Sequence, residues 1–194
     1  MSINMKNVKS ITLGGVSVKK IEDTNGRVLW GGSTTATINI TVGEGQDCTS
    51  TQYLNAIRIP ASWTIANAIS RKTGIPSGSI NVTKVELDLS TLYWYNYYSG
   101  KQSPKFSTSS SNTSSTTYFG SGTERTTKYV FPWATYKIDV TKYMNTRLFG
   151  YSYEYDRYNQ RYRSFSDSSS SGSVFCQSNG TGLPIFTIVV TYEY

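Results

Sequence analysis

The chain has 194 residues, with 16 Tyr, 7 Phe, 4 Trp and 16 Gly, and its 19 Lys and Arg against 12 Asp and Glu give a formal charge of +7. It has no histidine and only two cysteines, which removes the commonest general base and metal ligand and any zinc-type cysteine spacing. No run of about 18 apolar residues occurs, so no membrane-spanning helix is expected.

The length suits one ordinary domain with room for a small extra module. Aromatic residues, Thr and Ser dominate over Ala, Leu and Glu, which favours strands over helices. The opening MSINMKNVKS lacks the apolar core of a secretory signal, so a chain made and kept in the cytosol is expected. In that compartment Cys48 and Cys176 are expected to be free, buried thiols. The positive charge favours anionic partners in principle. Apart from Arg157, Arg161 and Arg163, however, the basic residues are scattered, and a general solubility charge accounts for them.

Val8 to Trp30 reads as a three-stranded meander. Gly14-Gly15 and Asn25-Gly26 are two-residue hairpin signals. The first turn pairs Leu13 with Val16, Ile11 with Val18 and Val8 with Ile21. The second pairs Thr24 with Arg27, Glu22 with Leu29 and Ile21 with Trp30. Val8, Ile21 and Trp30 therefore share a row. Both faces carry apolar residues, and a sheet this small is marginal in water. The segment must lean on something, and the Val8, Ile21 and Trp30 row is the expected contact with a second subunit. Residues 1–32 form this anchoring module, and the Gly31-Gly32-Ser33 linker leads into a second unit, 33–194.

Ala36, Ile38, Ile40 and Val42 then alternate with polar residues as a half-buried strand. A strand end is expected at Ile57 to Pro60. Ser62 to Thr73 is the one helix, with Ser62 as its cap, Ile65, Ala68 and Ile69 as its apolar face, Arg71 and Lys72 at its C-terminus and Gly74 as its stop. Ile80 to Tyr98 is the longest strand pattern. Val85, Leu87, Leu89, Tyr93 and Tyr95 share one phase, while Ile80 and Val82 lie on the other, which predicts a bulge near Thr83. The low-complexity stretch 107–117 and the serines at 168–171 read as polar loop tips. Tyr136, Ile138 and Val140 make another strand, followed by a helical turn at 141–145. The closing stretch through Phe186, Ile188, Val190 and Tyr192, with Ile185 and Val189 on the other face, reads as a central strand covered on both sides. About eight strands, long polar loops and one short helix predict an all-β fold: an antiparallel β-sandwich of jelly-roll type with a small N-terminal β-meander.

Catalytic patterns are sparse. The stretch 120–125, GSGTER, lacks the Lys-Ser/Thr ending of a phosphate loop. Glu86, Asp88, Glu154 and Asp156 could in principle supply paired carboxylates, but Glu86 and Asp88 fall on the polar phase of a strand and read as solvated charge. The Asp23-Thr24-Asn25-Gly26 run is explained as a turn rather than a calcium site. Asn39, Asn81, Asn112 and Asn179 open Asn-x-Ser/Thr sequons, which without a secretory route reflect composition. No enzyme activity, cofactor or metal is expected.

Two aromatic clusters are candidate contact surfaces. Tyr93, Trp94, Tyr95, Tyr97 and Tyr98 end the long strand pattern, and alternation directs Trp94 and Tyr98 outward. Tyr151, Tyr153, Tyr155, Tyr158 and Tyr162 interleave with Arg157, Arg161 and Arg163. Tyr, Trp and Arg are the residues enriched at interfaces, and their rings also suit sugars. The expected partner contacts are Trp94, Tyr98, Tyr155, Arg157, Tyr158 and Arg161. Acidic residues mixed into the second cluster speak against nucleic acid.

Val8–Thr12, Val18–Ile21, Asp23, Asn25-Gly26 and Val28–Trp30 resemble an N-terminal hairpin module of bacteriophage virion proteins. The resemblance implies a structural protein on the virion surface, assembled in the host bacterial cytoplasm. It would be a tail-tip, fibre or capsid-decoration component. Its partners would be other virion proteins and further copies of itself, and outwardly a host glycan or wall polymer, with no nucleic acid and no membrane. The rest is loosely similar to DNRLRE-type β-sandwich modules of bacterial surface proteins, through Ile75-Pro76 with Gly78, Ile138-Asp139-Val140-Thr141, and Pro184 with Phe186 to Tyr192. The family's acidic-Asn-Arg-Leu-Arg run is absent. This second likeness implies a carbohydrate-binding surface module as the alternative.

Overall fold

The structure, a computed structural model, describes residues 11–13, 16–18, 20–22, 28–31, 34–49, 56–96, 102–110, 116–120, 129–132, 134–155, 160–164, 173–176 and 185–194. Strands numbered in chain order are β1 (Ile11–Leu13), β2 (Val16–Val18), β3 (Lys20–Glu22), β4 (Val28–Gly31), β5 (Thr35–Val42), β6 (Ala56–Arg58), β7 (Asn81–Asp88), β8 (Tyr93–Asn96) and β9 (Gln102–Ser107). They continue with β10 (Tyr129–Pro132), β11 (Lys137–Asp139), β12 (Arg147–Tyr155), β13 (Gln160–Ser164), β14 (Ser173–Cys176) and β15 (Phe186–Glu193). Helix α1 (Ser62–Thr73) links β6 to β7. The fold is all-β with one helix, cut into more and shorter strands than the eight or so expected.

One sheet is antiparallel with order β11-β7-β15-β5. Its inward rows are apolar: Ile40, Ile188 and Leu87 lie across from one another, as do Ile38, Val190 and Val85. The outward rows carry Thr35, Thr37, Asn39 and Thr41 beside Thr187 and Thr191. β15 is central, as expected. Val189, 8% exposed, is flanked by the exposed Asn39 and half-buried Glu86. Its shelter on that face comes from sheet neighbours rather than from a covering layer, among the described residues.

The phase slip does produce a bulge. Thr191 faces Lys84 and Tyr192 faces Val82, leaving Thr83 as the extra residue. The Thr83 hydroxyl donates to the Thr191 carbonyl at 3.1 Å. With this one insertion Val82 and Val85 both serve the core.

The long pattern from Ile80 to Tyr98 is not one strand. It breaks at Asp88, whose Oδ1 accepts from the Ser90 amide at 3.0 Å and its hydroxyl at 2.6 Å, and Leu89–Thr91 form a 3-10 turn. The chain then enters a different sheet, with order β10-β8-β14. The neighbouring β11 ends by the same device: Asp139 Oδ1 accepts from the Thr141 amide at 2.9 Å and its hydroxyl at 2.6 Å, ahead of the turn Thr141–Tyr143. An Asp-x-Ser/Thr step offers the backbone a local partner in place of the ladder.

A third sheet is built on β12. Phe149 faces both Ala56 of β6 and Ser107 of β9, and Tyr151 faces both Ser164 of β13 and Lys105 of β9. β6 and β13 therefore lie end to end along one edge of β12, with β9 on the other. Beyond β9 the chain returns so that Phe106 and Phe119 exchange backbone bonds of 2.9 Å. The low-complexity stretch thus lies between closed ends, and residues 111–115 within it are outside the described residues.

One buried cluster joins these layers. It takes Ile40 and Val42 from β5, Val85 and Leu87 from β7, Phe186, Ile188 and Val190 from β15, Ile57 from β6, Phe106 from β9 and Leu148 from β12. Ile65, Ala68 and Ile69 of α1 close one side. The helix is thus both the crossover between sheets and part of the core. Its bounds are as expected, and Gly74 (φ 77) stops it by donating to the Ser70 carbonyl at 2.8 Å. Its cap is Ala61 rather than Ser62, with no side-chain bond. Ile59 and Asn145 still pair in ladder fashion with Thr146 and Pro60. The chain is therefore held extended through Pro60, and the first helical bond runs from the Ile65 amide to the Ala61 carbonyl.

The helix C-terminus is tied to the β5 loop through Asp47. Lys72 Nζ lies 2.7 Å from Asp47 Oδ2, which also accepts from the Thr41 amide at 3.0 Å, and Arg71 donates to the Asp47 carbonyl. The Lys72 bond, then the Thr41 bond, hold the Asp47 carboxyl below its ordinary 3.8, and the two Thr141 bonds do the same for Asp139. A depressed carboxyl stabilises the fold above its unfolded value, and that contribution is lost as pH falls through the folded value. The expected outcome is a shallower acid limb, between about pH 5 and pH 2, for the Asp47→Asn/Asp139→Asn double variant than for the parent. Thermal unfolding across that range checks it; parallel curves would remove both groups from the account.

At the N-terminus the first hairpin has the expected register, Ile11 facing Val18 and Leu13 facing Val16. In the second, Ile21 faces Trp30 as expected, but Glu22 faces Val28 rather than Leu29, because a register shift follows Ile21. Leu29 is the extra residue of a bulge. The described residues form two two-stranded ladders, β1-β2 and β3-β4. Val8, and Lys19 between β2 and β3, lie outside the described residues.

Candidate functional site

The expected contact residues fall on separate elements. Trp94 is at the middle of the β10-β8-β14 sheet, facing Phe131 on one side and Phe175 on the other. Its register position places it at the centre of a row of three aromatic residues across the sheet. Tyr155 faces Gln160, and Arg161 faces Glu154, within the β12–β13 hairpin. Glu154 also faces Gln102 of β9. Tyr98, Arg157 and Tyr158 lie outside the described residues. Tyr155 and Arg161 thus share one hairpin, while Trp94 belongs to another sheet.

Tyr151, from the same cluster, has a structural role. It is fully buried, its hydroxyl donates to the Ser109 carbonyl at 2.6 Å, and Tyr118 meets it edge-on at 5.4 Å. Burial, then Tyr118, push its hydroxyl up to about 12. It pins the start of the low-complexity stretch to β12. Glu86 pairs with Lys84 at 2.8 Å and Asp88 holds its turn, so both carboxylates have local structural work. Cys48 is a free, buried thiol, pushed up to about 11 chiefly by that burial, as a reduced core residue would be.

A different site is assembled where β6 hands over to α1. A cleft of about 370 Å³ is lined by Thr49, Arg58, Pro60, Ala61, Trp63, Thr64 and Asn145. Its parts come together because β6 pairs with β12, Arg58 facing Arg147, and because the turn before β12 returns Asn145 to Pro60. Asn145 has φ 60, a left-handed conformation that Asn tolerates better than most residues. Arg58 Nη2 donates to Asn145 Oδ1 at 2.9 Å and to its carbonyl at 3.3 Å. The guanidinium is thereby fixed at the cleft wall. Trp63 is 69% exposed, the most exposed large hydrophobic among the described residues.

Trp63 is not among the expected contact residues, although its solvent-side position was legible. With Ile65, Ala68 and Ile69 facing the core, the helical period leaves Trp63 on the solvent side. The cleft itself was not, because its walls come from residues 49, 58–64 and 145.

Among the described residues, no group of three or more His, Cys, Asp or Glu could hold a metal, and no helix is long and apolar enough to cross a membrane. No protein-family model matches the chain, and neither a curated protein nor a solved structure matches it.

Proposed function

We propose that this chain is a non-enzymatic structural component of a bacteriophage virion surface, a tail-tip, fibre or capsid-decoration protein acting through protein–protein contacts. The observation that carries the reading is the opening module. Its residues resemble the virion hairpin module, its strands are three or four residues long in two-stranded ladders, and such ladders need a neighbour to be stable. In this reading residues 1–32 anchor the protein, with Val8, Ile21 and Trp30 against a second subunit. Residues 33–194 are a β-sandwich of jelly-roll type that displays aromatic surfaces to a neighbour or to the host envelope. The common core beneath the two larger sheets supports the sandwich.

Electron microscopy and protein composition of virions lacking the gene test this. Loss of a surface feature together with the protein is expected, and particles of unchanged composition and shape would remove the structural role.

The alternative, a carbohydrate-binding module of a bacterial surface protein, is favoured by one observation: an exposed Trp beside fixed polar groups in a cleft.

A further inference from the structure

We infer that the cleft between β6, the start of α1 and Asn145 is a binding subsite for a pyranose sugar bearing an anionic substituent, carboxylate or phosphate. The inference stands on the cleft alone and does not depend on virion membership.

A single exposed aromatic means little by itself. Here the aromatic belongs to a concavity of about 370 Å³, at the lower end of the range for small-molecule pockets, roughly 300–1,000 Å³. The lining is of the matching kind. Trp63 supplies an aromatic face, and a ring face stacks on the apolar C–H face of a sugar. Thr49, Thr64 and Asn145 supply hydroxyl and amide groups for sugar hydroxyls.

The anionic preference follows from Arg58. Its guanidinium is tethered to Asn145 at 2.9 Å, so little side-chain entropy remains to be lost when a ligand meets it. Arg147 is its direct cross-strand partner. Arg147 itself turns its guanidinium over the Phe149 ring, 5.8 Å from the centroid, so Arg58 is the charged residue that lines the cleft. Arginine is also the side chain whose planar fork fits carboxylate and phosphate.

A protein partner fits these observations less well. A standard interface covers about 800 Å² per partner. Of the exposed large hydrophobics among the described residues, Trp63, Tyr136 and Tyr194, only Trp63 lines the cleft.

The test is a titration of the full chain, followed by the indole N–H resonances of its 4 Trp residues, with the Trp63 signal assigned by Trp63→Phe. The probes are glucuronate, a glucose phosphate ester, and methyl glucoside as the neutral reference. At least one acidic sugar should shift the Trp63 resonance, with a dissociation constant around the millimolar level, and methyl glucoside should bind at least about fivefold more weakly. Comparing the two acidic probes identifies carboxylate or phosphate. Trp63→Ala should abolish binding, and Arg58→Gln should erase the acidic preference. Trp63 is exposed, so its variant should unfold with the parent, and unfolding curves of both variants verify that the fold is intact. No movement of the Trp63 signal with any probe overturns the site, and equal binding of acidic and neutral sugars overturns the anionic assignment.

Discussion

Replacing Phe106 by alanine is expected to cost about 3–5 kcal/mol of folding stability, the range for truncating a buried aromatic. Phe106 is fully buried and sits where three features meet. It lies on β9 facing Gly150 of β12, it exchanges both backbone bonds with Phe119, and it belongs to the common core. Its ring centroid is 6.0 Å from that of Phe119. The cost of a cavity depends on how far neighbours collapse into it, and two of these neighbours cannot. Gly150 has no side chain. Gly120 (φ 63) passes so close that a Cβ there would lie 3.7 Å from the Phe106 ring and 2.8 Å from Ile138 Cδ1. The void therefore stays largely open, and the loss belongs in the upper half of the range. For a domain of this size, about 2–4 °C of melting temperature goes with each kcal/mol. Denaturant unfolding with an unchanged slope measures the effect. Phe106→Leu, which refills much of the volume, should lose less than half as much. A loss under about 1 kcal/mol for the alanine variant would mean that β9 does not close the core.

The elements most legible in the sequence were those whose signals are local. The helix follows from the spacing of Ile65, Ala68 and Ile69 and from Gly74, and its bounds agree with the structure. The Thr83 bulge follows from a phase slip, since Val82 and Val85 can serve one face only with an inserted residue. What escaped was partnership. Alternation records which residues share a phase, not which sheet they join. Tyr93 and Tyr95 continue the phase of Leu87 and Leu89 past a turn, Leu89–Thr91, that moves the chain into another sheet. The Leu29 bulge was missed for a related reason, because a hairpin signal such as Asn25-Gly26 sets an ideal register and carries no mark of an irregularity beyond it. The Ser62 cap failed because ladder bonds near Pro60 decide where the helix can start. The cleft escaped for the reason common to most sites: Arg58 and Asn145 meet only through the pairing of β6 with β12.

Removing residues 1–32 is expected to separate folding from assembly. The described buried cluster runs from Ile40 to Tyr192, and Ile21 in β3 is only half-buried. The chain from 33 onward also closes on itself, because Thr34 and Tyr194 exchange backbone bonds of 3.1 and 3.2 Å and hold the first strand of the larger unit against the last. A chain starting at 33 should therefore melt within a few degrees of the full chain, a difference of about 1 kcal/mol or less. If the module anchors the protein as proposed, the truncated chain's incorporation into particles, and its self-association, should fall to background. Strands this short gain little from their own ladder bonds, so on the proposed anchoring role the module draws its stability from whatever it docks against. Changing Ile21 and Trp30, which face each other across β3 and β4, to aspartate tests the same surface without deletion. That variant should keep the melting temperature and lose the association. Two results would count against the anchoring role: a truncated chain that unfolds, which would make the module part of the core, or one that still assembles like the parent, which would leave the module without a partner.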